Sequence, residues 1–167
     1  MLTLEQIAGL LQTLGLRYHE ADGRLVVPFK AEDTSYRIQI VVDGPLVRLV
    51  AGDLLPVPER RLGETLVLAN FLNAHRLRFG AFWVDSSRDF GFEMTLPVGD
   101  GLPLETFGLT IAGFSAIDAF YAAFAAVVWA GATAEQALDT LRQTRQQQAE
   151  ERANADEDED GGIDIAI

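Results

Sequence analysis

Residues 66–98 read LVLANFLNAHRLRFGAFWVDSSRDFGFEMTLPV, and two hydrophobic periods meet inside them. The first part continues a helix from about Glu59 to Arg76, opened by Pro56 and Pro58, with Leu62, Leu66, Ala69 and Asn73 on one face. From Phe79 the period changes. FGAFWVD and FGFEMTLPV are rich in aromatic and β-branched residues and flank a turn around Ser86 to Asp89, which predicts a hairpin. A helix that runs straight into two strands is the pattern of a mixed fold with segregated layers.

The same logic extends toward the N-terminus. Thr3 and Gln6 form a capping box, Leu4, Ile7, Leu11 and Leu14 make one stripe, and Gly15 ends the helix. LRYHE, a turn at Asp22-Gly23 and RLVVPFK follow as strands. In TSYRIQIVVDG, Tyr36, Ile38, Ile40 and Val42 alternate onto one face, and Asp43-Gly44-Pro45 turns the chain into LVRLVAG. Antiparallel hairpins are expected.

Toward the C-terminus, Phe107, Ile111, Phe114, Ile117, Tyr121, Phe124 and Val128 recur at helical spacing. Ala112, Ala116, Ala119, Ala123, Ala126 and Ala130 form a parallel stripe of small residues. Gly108 and Gly113 are expected to break this segment into two helical pieces. A last helix starts at Thr133, boxed by Gln136, and runs into the polar RQTRQQQAEERANA. The expectation is an α+β fold, an antiparallel sheet flanked by helices in the order α-β-β-β-α-β-β-α-α. It comprises a domain over 1–149 and a disordered acidic tail over 150–167.

Charge and composition narrow the function. The chain has 167 residues, 49% of them hydrophobic, and no cysteine, so disulfides, thiolate nucleophiles and cysteine zinc sites are excluded. Its net charge is −12, and most of it sits from Glu150 onward, where eight acidic residues face one arginine. Direct nucleic-acid binding is disfavoured and a basic partner favoured. The N-terminus has no basic region of the signal-peptide kind. Phe107 to Ala132 is long enough to span a bilayer, but Asp118 near its centre offsets the apolar gain, and Glu105 and Glu135 flank it. A cytoplasmic protein without a membrane span is expected.

No catalytic set emerges. His19 and His75 lie in different elements without a third ligand. GFSAI around Ser115 lacks the second glycine of a nucleophile elbow, and GDG near Gly99 is a turn. Asp85, Asp89 and Glu93 straddle the hairpin as solvated carboxylates. Asp156, Asp158, Asp160 and Gly161 match half a calcium loop, but position twelve is Ile167 instead of glutamate. No metal and no cofactor are therefore expected. An alternative is a small-ligand sensor or enzyme with an aromatic pocket built from Trp83, Phe90 and Phe92.

Asn70, Asn73, Gly80, Phe82 and Asp85, set on a helix that enters a Gly-x-Phe strand and an aspartate turn, resemble the pattern of the YbjN-like family. Its fold is that of the type III secretion chaperones, and the element order resembles it from about Leu4 to Leu141. The resemblance implies a non-enzymatic α+β domain, commonly dimeric, that binds other proteins in bacterial stress response or regulation. Asn70 and Asn73 are expected to bond strand backbone. The alanine stripe, Ala112, Ala116, Ala119, Ala123 and Ala126, is the expected dimer interface.

The acidic tail stands outside the pattern. Asp156, Glu157, Asp158, Glu159 and Asp160, followed by Ile163, Ile165 and Ile167, look like the acidic, apolar-tipped ends of single-stranded-DNA-binding proteins. They are the expected partner-binding segment. The partner expected is a basic, nucleic-acid-binding protein.

Overall fold

The structure is a computed structural model that describes residues 2–31, 34–99 and 101–159, with side chains as far as Glu150. Helix α1 (Leu4–Thr13) leads into strands β1 (His19–Ala21), β2 (Arg24–Lys30), β3 (Ser35–Asp43) and β4 (Leu46–Pro56). After a 3-10 turn at Glu59–Arg61 come α2 (Leu62–His75), β5 (Ala81–Val84) and β6 (Asp89–Pro97). Helices α3 (Leu104–Ala112), α4 (Ser115–Ala125) and α5 (Ala134–Glu159) complete the order, with a π turn at Ala126–Ala130 after α4. The strands form one antiparallel sheet in the order β1-β2-β3-β4-β6-β5.

The fold class is as expected, but the order needs one more strand and one more helix. The strand read at LRYHE is present as His19–Ala21, paired with β2 through His19↔Val26. Residues 104–130 break once, at Gly113, while Gly108 stays inside α3. A Cβ at Gly113 would lie 3.0 Å from the Met94 sulfur, so glycine lets the break press onto β6. Helix α5 runs through residue 150 to Glu159, as the Gln-, Ala-, Glu- and Arg-rich sequence consists of helix formers.

Alternation sorts the sheet into two faces. Leu25 and Val27, Ile38 and Ile40, Val47 and Leu49, and Phe90 and Phe92 point to the helices and form the core with Ile7, Leu11, Leu68 and Leu72. Phe107, Phe114, Ile117, Phe120 and Phe124 join the same core from the C-terminal helices. The 104–130 segment is long and apolar enough to cross a membrane, yet these large side chains lie inside the core. Phe90 and Phe124 meet at 4.1 Å between ring centroids, and Phe92 meets Phe114 edge-on at 5.2 Å. Aromatic pairs in such offset or edge geometry add roughly 0.5–1.5 kcal/mol beyond their area.

Both sheet edges are guarded. At β5, the Asn73 side chain accepts from the Phe82 N–H and donates to the Phe82 C=O, each at 2.9 Å. An asparagine thus stands in for the next strand. At the other edge β1 covers only Arg24 to Val26, and in the uncovered half of β2 Pro28 removes a donor that a foreign strand would use.

Candidate protein-binding surfaces

Two of the residues that carry the sequence resemblance part company. Asn73 makes the two Phe82 bonds, as expected, whereas Asn70 is exposed on α2. Gly80 has φ +77, and a Cβ there would come within 2.8 Å of the Glu93 carbonyl, so only glycine carries the chain from α2 into β5. Asp85 is a turn residue: its Oδ1 accepts from the Asp89 N–H at 2.9 Å. Glu93 is held by Arg48 at 3.0 Å across the sheet, and the His75 ring meets Phe71 at a tilt, 4.8 Å between centroids. His19 sits on β1, away from α2. Ser115 opens α4 directly behind α3, without the strand that an elbow requires. Among the described residues no group of three histidines or carboxylates could hold a metal.

The aromatic pocket of the alternative reading does not form. Phe90 and Phe92 lie in the core, whereas Trp83 pairs with Gly91 and so occupies the opposite face of the sheet. The indole lies across Gly91, where a Cβ would meet it at 2.2 Å, and reaches Gly52 at 3.7 Å. Its Nε1–H is shielded from solvent and has no acceptor.

The described cleft with the most room lies between α4 and α5. About 530 Å³ is lined by Ala119, Ala122, Ala123 and Ala126 on one wall and by Gln136, Thr140 and Thr144 on the other. Asp118 and Arg145 stand at its rim, and Arg145 also covers the Phe120 ring at 5.2 Å. Of the expected dimer residues, three enter this groove and two do not: Ala112 is exposed and Ala116 half-buried, both outside it. Ala123 is 5% exposed, so it packs within its own chain. Sequence spacing missed Ala122, which is exposed and lines the groove.

Next to the groove stands Trp129, 61% exposed on the π turn. It touches Tyr121 edge-on at 6.3 Å and lines two further shallow clefts, one with Ala125 and Ala126 and one with Pro56, Pro58 and Arg88. Trp and Tyr at a small-residue groove are the composition of a protein-binding hot spot. Across the core from it, the Tyr36 hydroxyl donates to the Phe114 carbonyl at 3.3 Å. Burial, with the Asp118 carboxylate nearby, pushes this phenol up to about 12.

The tail residues are partly outside this picture. Asp156, Glu157, Asp158 and Glu159 fall on the last turns of α5 as backbone. Asp160, Ile163, Ile165 and Ile167 lie outside the described residues.

A six-stranded antiparallel sheet with helices packed on it defines a domain of α+β class. The chain belongs to the YbjN family, described as "Putative bacterial sensory transduction regulator", whose pattern matches residues 3–126. Its fold is similar to that of a solved structure titled "Crystal structure of YbjN, a putative transcription regulator from E. coli". The TM-score is 0.55 at 17% sequence identity, covering 70% of this chain and 88% of that one. No curated protein matches the chain in sequence.

Proposed function

We propose that this chain is a non-enzymatic regulator that works by binding other proteins, as a homodimer in the bacterial cytoplasm, in stress response or a related regulatory circuit. The observation that carries the reading is the α4–α5 groove with exposed Trp129 beside it. Alanine walls let a helix approach closely, and an exposed tryptophan at the margin supplies the rigid anchor such interfaces use. The family description as a regulator supports the same reading. The acidic segment from Asp156 to Asp160, with Ile163, Ile165 and Ile167 behind it, serves as a steering element toward a basic partner, with a nucleic-acid-binding protein the first to test. Charge sets the association rate, and apolar anchors set dissociation.

Ala122→Glu places a charge in the groove at an exposed position and should convert the dimer to a monomer by light scattering, with an unchanged circular dichroism melt. Ala123→Glu, at a buried site, should instead lower the melting temperature. A wild-type monomer at tens of micromolar, a rough working range for modest affinity, would remove the dimer from this reading.

A further inference from the structure

The face of the sheet turned away from the helices is charged, and its sign is opposite to that of the chain. Arg24 and Lys30 on β2, Arg37 on β3 and Arg48 on β4 are all exposed, and each alternates with core residues along its strand. The acids on the same face are Glu93, held by Arg48 at 3.0 Å, Asp89 at the start of β6 and Asp43 at the end of β3. Between the bases runs an apolar strip of half-buried Val41, Val50 and Trp83, with Val26 buried at its β2 end. None of these four belongs to the core cluster or packs against it.

Register brings the strip together. Val26 faces Gln39, Gln39 faces Val50 and Val50 faces Glu93. One row further, Trp83 faces Gly91 and lies flat over it, so the glycines give the indole a bed and leave its other side turned outward. The result is an aromatic and valine strip bordered by guanidinium groups. It fits a segment that alternates apolar side chains and adjoins a dense negative run.

The chain itself contains such a segment. Residues 156–160 are DEDED, and in IDIAI the isoleucines fall at every second position. We propose that residues 156–167 of one copy dock on the open sheet face of a second copy. The acid run lies against Arg24, Arg37 and Arg48, and the isoleucines lie on Val26, Val50 and Trp83. This rests on the reading of the tail as a partner-binding segment and makes the chain its own first partner.

Distance favours the second copy over the same one. Helix α5 packs on α2 and α4, on the far side of the sheet from this face, and residues 142–150 are exposed along its length. From Arg145 to Glu159 the helix extends about 21 Å at 1.5 Å per residue. The remaining eight residues span at most about 29 Å when fully extended. Returning over that projection and around a helix-covered sheet, about 10 Å thicker again, uses all of it and leaves nothing to bind with.

The experiment uses full-length protein with Asp156→Asn, Glu157→Gln, Asp158→Asn, Glu159→Gln and Asp160→Asn as receptor, and a fluorescent synthetic peptide of residues 155–167 as probe. Trp129→Phe in the same receptor leaves Trp83 as the single tryptophan. The peptide should bind in low salt, shift the Trp83 emission to the blue, and lose affinity as salt rises. Arg24→Gln with Arg37→Gln, which spares the Arg48–Glu93 pair, should weaken it on the order of tenfold. Ala122→Glu should leave peptide binding unchanged, because the groove it blocks is on the helical side. The proposal is overturned if the peptide does not bind, if the arginine variant binds it equally well, or if a single-stranded oligonucleotide displaces it by binding the face more tightly. Loss of peptide binding together with an intact Ala122-dependent dimer would reject this docking while leaving the proposed groove dimer standing.

Discussion

Asn73 holds the edge of the sheet by itself. Its amide closes both backbone groups of Phe82, at a position where each unmade buried bond costs about 1–3 kcal/mol. Asn73→Ala should therefore lower unfolding stability by roughly 2–4 kcal/mol in a urea titration, while Asn70→Ala, at an exposed site, should change it by less than about 0.5 kcal/mol. The same substitution bares an unpaired strand edge, so aggregation on heating should rise with Asn73→Ala alone.

Tyr36 gives a second test at this scale. Its phenol ionises at about 12 in the folded protein against 10.0 ordinarily, because burial disfavours the phenolate. The neutral form is thus the one the fold accepts. This contribution is complete below pH 10 and is lost as pH climbs through 10 to 12, on the order of 2 kcal/mol in total. Tyr36→Phe should flatten the fall of melting temperature across that window, at the cost of the bond to the Phe114 carbonyl. A melt that falls equally steeply in both proteins between pH 10 and 12 would show that the phenol has no part in it.

At the scale of elements, α5 is positioned by its first turn. Thr133 and Gln136 form a reciprocal capping box at 2.9 and 3.2 Å, and Glu64 on α2 accepts from the Ala134 N–H at 2.7 Å. One carboxylate therefore caps a helix seventy residues away and ties α2 to α5, close to the positive end of the α5 dipole. Glu64→Ala should cost about 1 kcal/mol and should loosen the α4–α5 groove, so that affinity of the proposed groove dimer falls along with stability. Calorimetry and light scattering on the same sample would reveal a variant in which one quantity moves without the other.

This scale also shows what the sequence made legible. The capping boxes, the alternation of Tyr36, Ile38 and Ile40, and the passage from helix to hairpin at Gly80 are local signals, and each one is found as read. The placement of Trp83 was not local. It depends on the register Trp83↔Gly91, which sets it opposite Phe90 and Phe92, and no residue within either strand announces that pairing. The groove behaves alike: Ala122 and Thr140 share it through the packing of two helices, so the alanine spacing picked out Ala119 and Ala123 but could not tell wall from interior. Ala123 proved to be interior.

For the whole molecule, the placement of charge matters more than its sum. A chain of net charge −12 gathers four bases on one sheet face, while eight of its 25 acidic residues lie from Glu150 onward. The covered face of the sheet is closed by phenylalanine packing and its edges are blocked by Asn73 and Pro28. Among the described residues, the two surfaces proposed for partners are the α4–α5 groove with Trp129 and the open sheet face with Trp83. Both carry a tryptophan on a bed of small residues, alanine in one case and glycine in the other.

The Asn73 bracket has a further consequence, for the order in which the molecule assembles. Its two bonds close a loop of nine residues, whereas β4 must find β6 across more than forty, as in Val50↔Glu93. Short loops close at lower entropic cost, so α2, β5 and β6 can gather as one nucleus before the longer-range pairing joins them to the rest of the sheet. If so, Asn73→Ala should slow refolding and leave the unfolding rate nearly untouched. Arg48→Ala, which removes a β4–β6 salt bridge, should act instead on unfolding. Stopped-flow chevrons of the two variants distinguish a nucleus at this bracket from one that begins in the β2–β3–β4 meander.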